Sequence, residues 1–266
     1  MKIIKKVKRS DQRHSSEMLH DIEKIISYFV KESYLKKWEK EAVLRKILIN
    51  LIRLFNQKTI SLQNSSMKSA LTLYTLKPTL EPIISDFAII LDINFHDGYE
   101  TEGVVFFKTL LRDNDKNTFS DLKKDKLKKI ISVSPFSSLI LFDYDIIAGM
   151  ALPPANHSDK VFTETAYATN CVVVPGNLAM NLGQKNTGLY KISTPFSHEL
   201  LNRYSFGLNL DYSSSALDVA KGFKTDKGYV QNLLHIAIGQ GGADLKKDVN
   251  YNWEVYSPYD QPQYES

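Results

Sequence analysis

The amino-acid sequence predicts an α/β protein in which helices flank a mixed central β-sheet. Three observations carry that expectation. Between Ser16 and Phe55, apolar residues recur every three or four positions, the period of helices with one buried face. At Ala70 the period drops to two. Beyond it, short apolar runs alternate with helical stretches as far as Ile238, the pattern of layered α/β domains.

Residues 1–15 are basic and polar and read as a mobile arm. The first helix follows, with Met18, Leu19, Ile22, Ile25, Ile26, Phe29 and Val30 on one stripe and Ser16 placed to cap it. A second runs from Trp38 to Phe55, opposing Ala42, Val43, Ile47, Leu48, Leu51, Ile52 and Phe55 to a charged face. Asn56 to Ser66 is polar and reads as a connector. Ala70 to Leu76 mixes β-branched and aromatic residues, and Pro78 and Pro82 end that strand. Phe87 to Phe95 is almost continuously apolar, as a strand covered on both faces should be. Asp97-Gly98 marks a turn, and Gly103 to Leu111 is the returning strand.

Ser120 to Ile131 is read as a helix with Lys123, Lys124, Lys126, Lys128 and Lys129 on its polar side. Pro135 breaks it, and Ser138 to Tyr144 is a buried strand. After Pro153-Pro154 the signals shorten to strands at Cys171–Val174 and Leu233–Ile238 and helices at Phe196–Tyr204 and Ser214–Lys221. These are expected to extend the same sheet. The organisation expected is a basic arm and helices over residues 1–60, an α/β core over 61–250 and a polar, aromatic tail over 251–266.

The chain has 266 residues, 43% of them hydrophobic and 24% charged, enough for one sizeable core or two small ones. The formal net charge is +4, unevenly placed: residues 1–60 hold 15 Lys/Arg against 7 Asp/Glu. A basic end of this kind is either a footprint for a polyanion or a solvated lysine-rich face. Cys171 is the sole cysteine, so there is no disulfide framework, and a reducing, cytoplasmic setting is expected. No apolar run approaches the roughly 18 residues of a membrane span. The basic start MKIIKKVKR lacks the apolar core of a secretory signal.

Most catalytic signatures are missing. There is no GxxxxGK[ST] loop and no GxSxG elbow. Gly239 to Asp244 is glycine-rich, but Asp244 stands where a dinucleotide fingerprint needs its third glycine, so the stretch reads as a strand-exit turn. The six histidines show no pair at zinc-ligand spacing, and Cys171 sits in an apolar strand as a structural thiol.

The stretch Ser85 to Asp113 is different. Phosphodiester cleavage needs carboxylates that hold magnesium through oxygen, with a lysine beside them to stabilise developing charge. One acid entering a strand and an acid-x-lysine triplet on its neighbour supply this, because alternation points the triplet's first and third residues to one side. Here Asp86 enters the first strand, Lys108 lies inside the second, and Glu81 stands just upstream.

With this order of elements, the chain resembles the restriction-endonuclease-like PD-(D/E)xK superfamily, in particular its Gln-x-Lys branch. The residues that carry the likeness are Glu81, Ser85-Asp86, the triplet Phe106-Phe107-Lys108 and the segment Leu127 to Leu141, over roughly residues 38–220. The resemblance implies a restriction-endonuclease-like core, magnesium on Asp86 and Glu81, and Asp86, Glu81 and Lys108 as catalytic residues. It implies action on DNA, with RNA as the alternative, within a prokaryotic defence system that supplies protein partners. The five lysines of the basic helix would then grip phosphates.

The triplet departs from the pattern at Phe106, which cannot ligate a metal. Glu102 and Asp92 share the right parity but lie six residues away, about 20 Å along a strand. Glu39 or Glu41 is placed to lean over the site from the second helix. Three functions remain open at this point: a magnesium-dependent endonuclease, a non-cleaving subunit that keeps the fold as a binding scaffold, and a structural or assembly protein whose lysines only aid solubility. In the second, Tyr251, Trp253, Tyr256, Tyr259 and Tyr264 of the tail would dock on a partner.

Overall fold

Strand alternation sorts the apolar residues of this chain onto two faces of a single sheet, and each face is roofed by its own helices. The computed structural model describes residues 12–56, 59–61, 66–151, 165–245 and 250–259. In chain order the elements are β1 (Gln12–His14), α1 (Ser15–Lys36), α2 (Lys40–Phe55), β2 (Thr59–Ser61), β3 (Ser66–Leu76), β4 (Ile83–Asn94), β5 (Glu100–Leu111) and α3 (Lys124–Val133). They continue with β6 (Ser138–Ala151), β7 (Thr165–Pro175), α4 (Gly176–Leu182), β8 (Thr194–Pro195), α5 (Phe196–Asn202), α6 (Ser214–Lys221), β9 (Tyr229–Gln240) and β10 (Tyr256–Pro258).

The ten strands form one mixed sheet ordered β1-β2-β3-β9-β4-β5-β6-β7-β8, with β10 paired to β3. The expected α/β class with a mixed, helix-flanked sheet is what the chain adopts. β9 lies between β3 and β4, antiparallel to the first and parallel to the second. β5 and β6 are parallel, and the segment joining them carries α3.

Odd-numbered residues of β4 and β5, among them Phe87, Ile89, Leu91, Val105 and Phe107, join a core with α1, α2 and α5. Even-numbered ones, among them Ala88, Ile90, Val104, Phe106 and Leu110, join a second core with α3, α4 and α6. This is why β4 reads as an unbroken apolar run: both faces are covered. α1 buries Met18, Ile22, Ile26 and Val30, one residue per turn; α2 buries the stripe expected of it except Ala42, which is half-buried, and buries Leu44 and Leu54 as well.

Several sequence expectations are corrected. Of the arm, residues 1–11 lie outside the described residues, while Gln12–His14 form β1 and pair in parallel with β2, which lies inside the expected connector. β3, β4, β5 and β7 begin earlier than their apolar runs, because the residues before each run already find ladder partners on a neighbouring strand. The basic helix starts at Lys124, not Ser120, because Asp113 holds Ser120 in the preceding turn through its backbone N–H (3.0 Å) and hydroxyl (2.6 Å). Lys123 thereby becomes the cap residue. The helix expected to run to Tyr204 ends at Asn202, and a 3-10 turn covers Tyr204–Phe206. The helix Ser214–Lys221 has the expected bounds.

Over its described part the tail packs against the body of the protein. Tyr251 and Tyr256 are buried in the second core, and β10 pairs with β3. Tyr259 packs on the first core, with the Arg45 guanidinium 4.9 Å above its ring. Only Trp253 among the described tail aromatics is exposed as docking on a partner would require; Tyr264 lies outside the described residues. No helix among the described residues is long and apolar enough to cross a membrane.

One buried carboxyl makes the first core sensitive to pH. Glu23 of α1 accepts from Ser197 Oγ on α5, while its Oε2 is buried without a hydrogen-bond partner. Burial raises its pKa above 4.5, more than the nearby hydroxyls of Ser197 and Thr169 lower it. The folded state therefore favours the proton, and stability present at acid pH falls as pH rises from the ordinary carboxyl value through the raised one. Glu23→Gln is expected to unfold at a higher urea concentration than wild type at pH 8, with the gap shrinking by pH 5. A gap independent of pH would count against this assignment.

Candidate functional site

The β4–β5 hairpin closes on the expected turn, where Gly98 takes φ +81° and Asp97 Oδ1 accepts from Tyr99 N at 3.1 Å. From there the two strands pair in register down to Phe87 and Phe107, whose rings stack 4.4 Å apart. Below that pair they part. β4 continues along β9, and β5 continues along β6. Asp86 and Lys108 are the next residues on each side of this fork.

Two side chains do what the interrupted ladder does not. Ser85 Oγ lies 2.7 Å from Phe87 O and 2.8 Å from Phe107 O, sharing its hydrogen between them. Asp86 Oδ2 accepts from Thr109 N at 2.7 Å. Asp86 Oδ1 takes two ammonium groups: Lys108 Nζ at 2.7 Å and Lys40 Nζ at 3.0 Å. The carboxylate is 4% exposed, Lys108 12% and Lys40 32%. Lys40 opens α2, a helix of the first face, whereas Asp86 shares the parity of second-face residues. Its ammonium reaches the carboxylate where the sheet has split.

The two lysines respond differently to this setting. Burial pulls Lys108 below its usual pKa; Asp86 opposes the shift, and Lys40 and Lys126 add to it. Burial also acts on Lys40, but Asp86 outweighs it and the net shift is upward. Two cations thus meet one carboxylate at the fork, with Asp121 close enough to act on Lys40. Lys123, Lys124, Lys126, Lys128 and Lys129 are all exposed, while Leu127 and Ile130 hold α3 in the second core.

Beside the fork lies an open cleft of about 530 Å³, lined by Trp38, Lys40, Arg112 and Asp113 together with Glu39, Glu41 and Asp121. Arg112 fixes one wall. Its Nη1 bonds both oxygens of Asp143 (3.0 and 3.1 Å) and Asp145 (2.8 Å), its guanidinium lies 4.5 Å from the Tyr144 ring centroid, and its carbonyl accepts from Trp38 Nε1 at 2.8 Å.

Of the residues singled out from sequence, the fold brings Asp86 and Lys108 together. Glu81 is exposed, precedes β4 and makes no ion pair among the described residues. Glu39 is paired with Lys37 at 2.9 Å, and Glu41 accepts from Gln231 at 3.0 Å. The side chain that leans over the site is the one between them, Lys40. Glu102 and Asp92 face each other near the far end of the hairpin, with Lys221 2.6 Å from Glu102. Phe106 is wholly buried opposite Ala88 in the second core.

Magnesium coordinates carboxylates and waters in near-ideal octahedral geometry. At the fork, both oxygens of Asp86 are already engaged. Among the described residues no three His, Cys, Asp or Glu side chains converge as a metal group. The residues present do not fit the ion that the resemblance implies, and no step is derived through it. Comparison with protein-family models, with curated proteins and with solved structures finds no match for this chain.

Lys40 and Arg112 are the contributors that sequence reasoning missed. Adjacent residues on a helix point about 100° apart, so the pattern of α2 alone does not say which of residues 39, 40 and 41 faces the fork.

Removing one member of a buried charge cluster strands the others and typically costs about 3–5 kcal/mol. Asp86→Ala is expected to lose that much in guanidinium unfolding. Glu81→Ala should stay within about 0.5 kcal/mol of wild type. Equal losses in the two variants would show that the cluster does not hold the fork.

Proposed function

We propose that this chain is a non-cleaving, nuclease-like scaffold that binds nucleic acid, DNA in the first instance, through its phosphates. One observation carries the reading: the buried carboxylate that a nuclease would commit to its metal is here bound by two lysines and a backbone amide, beside a helix of exposed lysines. Phe106, at the first position of the triplet, contributes packing and no oxygen.

The binding chemistry follows from the side chains. Lysine ammonium groups act as strongly hydrated point charges on phosphate oxygens and carry no base specificity. Because α3 is anchored through Leu127 and Ile130, its lysines project from a fixed backbone, and only their flexible side chains lose freedom on binding. Lys40 and Lys108 bring two ammonium groups to one carboxylate at the fork. Each neutralised phosphate releases condensed counterions, so affinity falls steeply with salt.

The test is fluorescence anisotropy of a labelled duplex across a salt series. Wild type should bind with a steep negative slope of log K against log salt. Lys124→Gln with Lys128→Gln should flatten that slope by about 2. Plasmid incubated with the protein should stay intact in magnesium as in EDTA. Cutting that needs magnesium and is lost in Lys108→Ala would place the chain among active nucleases. Salt-independent retention would remove nucleic acid from the account.

A further inference from the structure

We infer that the cavity between the α3–β6 loop and α5 receives a single unstacked nucleobase, with Arg203 meeting the phosphate that carries it. The inference deepens the nucleic-acid reading and, for a strand, rests on it: the lysines of α3 take the backbone, and this cavity takes one base.

The cavity measures about 230 Å³, and its walls come from separate parts of the chain. Pro135 and Phe136 lie on the loop that follows α3, Pro175 ends β7, and Tyr204 opens the 3-10 turn after α5. Phe136 is 45% exposed, whereas Tyr204 is buried, so the first stands at the opening and the second inside. The loop is held in place before any ligand arrives. Ser137 Oγ lies 2.9 Å from Ile130 O and 2.7 Å from Ser134 O. Ser137 O accepts from Gly176 N at 2.8 Å, and Pro135 O accepts from Asn177 Nδ2 at 3.0 Å. A site fixed in advance loses little freedom on binding. Pockets for drug-sized ligands start at about 300 Å³, so this one suits a single ring system.

Two charged side chains decide what kind of ring. Glu199 lines the cavity with its side chain 8% exposed. Its Oε2 accepts from Asn209 Nδ2 at 3.2 Å, and its Oε1 lies 3.7 Å from Arg203 Nε, beyond hydrogen-bond length. A carboxyl has about four positions for partners, so capacity remains for a ligand. Burial raises its pKa, and Arg203, Asn209 and Thr194 offset that only in part. A carboxyl drawn toward its neutral form donates as well as accepts, and the Watson–Crick edge of a base offers both kinds of partner. Arg203 lines the same cavity and is 51% exposed, so it brings a cation to the opening.

A purely apolar ring would leave Glu199 unmatched. A bare phosphate would meet the carboxyl and leave the aromatic and proline walls unfilled. A base on a phosphate answers the whole lining: ring against Phe136, Tyr204 and the prolines, polar edge on Glu199 and Asn209, phosphate on Arg203. Unpaired bases are recognised in this way, by stacking and by hydrogen bonds to their free edges.

The experiment compares two labelled single strands by fluorescence anisotropy, one complete and one built of tetrahydrofuran abasic sites. Folding of each variant is checked by circular dichroism. Wild type should bind the complete strand about tenfold more tightly. Phe136→Ala, on an exposed side chain, and Glu199→Leu should each remove most of that preference and leave the salt slope unchanged. Lys124→Gln with Lys128→Gln should do the reverse, flattening the slope and keeping the preference. Saturation-transfer NMR with the nucleoside monophosphates separates the sources of the base. A signal that Phe136→Ala removes assigns the cavity to free nucleotides as well, and a base preference without such a signal assigns it to strands alone. Equal affinity for the two strands, with no mononucleotide signal that Phe136→Ala removes, overturns the inference. So does a preference that survives both Phe136→Ala and a folded Glu199→Leu. In either case a steep salt slope leaves the nucleic-acid reading standing, so the two fail separately.

Discussion

Where two paired strands part, each loses backbone partners that its neighbour had supplied, and buried N–H groups left unmatched are expensive. In this protein one carboxylate meets that cost. Asp86 closes the end of the β4–β5 ladder through Thr109 N, and the charge this introduces into a buried place is balanced by Lys108 and Lys40. The sheet can therefore change partners, β4 keeping to β9 and β5 to β6, without an open seam. The same contacts tie the start of α2, through Lys40, to the point where the strands part.

The same arrangement defines what the site can do. Alternation gives Phe107 to one core and Phe106 to the other, so the residue two before Lys108 is committed to packing. At the fork, one carboxylate meets two ammonium groups. The lysines of α3 lie on the same side of the sheet, and the apolar stripe of that helix keeps them there. Packing on the inner side and charge on the outer are thus two consequences of one ten-residue helix.

Much of this was legible in the amino-acid sequence, for physical reasons that differ by element. The stripes of α1 and α2 were readable because burial repeats with the helical period. β4 was readable as a doubly covered strand, yet its first residues were not. Ser85 and Asp86 look like a strand's end because they are polar, and they belong to the strand because β9 and the fork satisfy them. Asp86 and Lys108 were identified by parity, whereas Lys40 depended on how α2 docks against the sheet. Tyr251 and Tyr256 looked like free aromatic surface because only the folded chain brings β3 and the second core to meet them.

The placement of β9 has a consequence in time. This strand, residues 229–240, is the partner of both β3 and β4, which are made more than a hundred residues earlier. Until it emerges from the ribosome, the edges of two long strands have nothing of their own to pair with. Long-range pairing of this kind slows folding, and unpaired edges invite pairing with other chains. The molecule is thus completed from its middle by one of its last segments, and the interval before that segment arrives is when the nascent chain most needs protection from its neighbours.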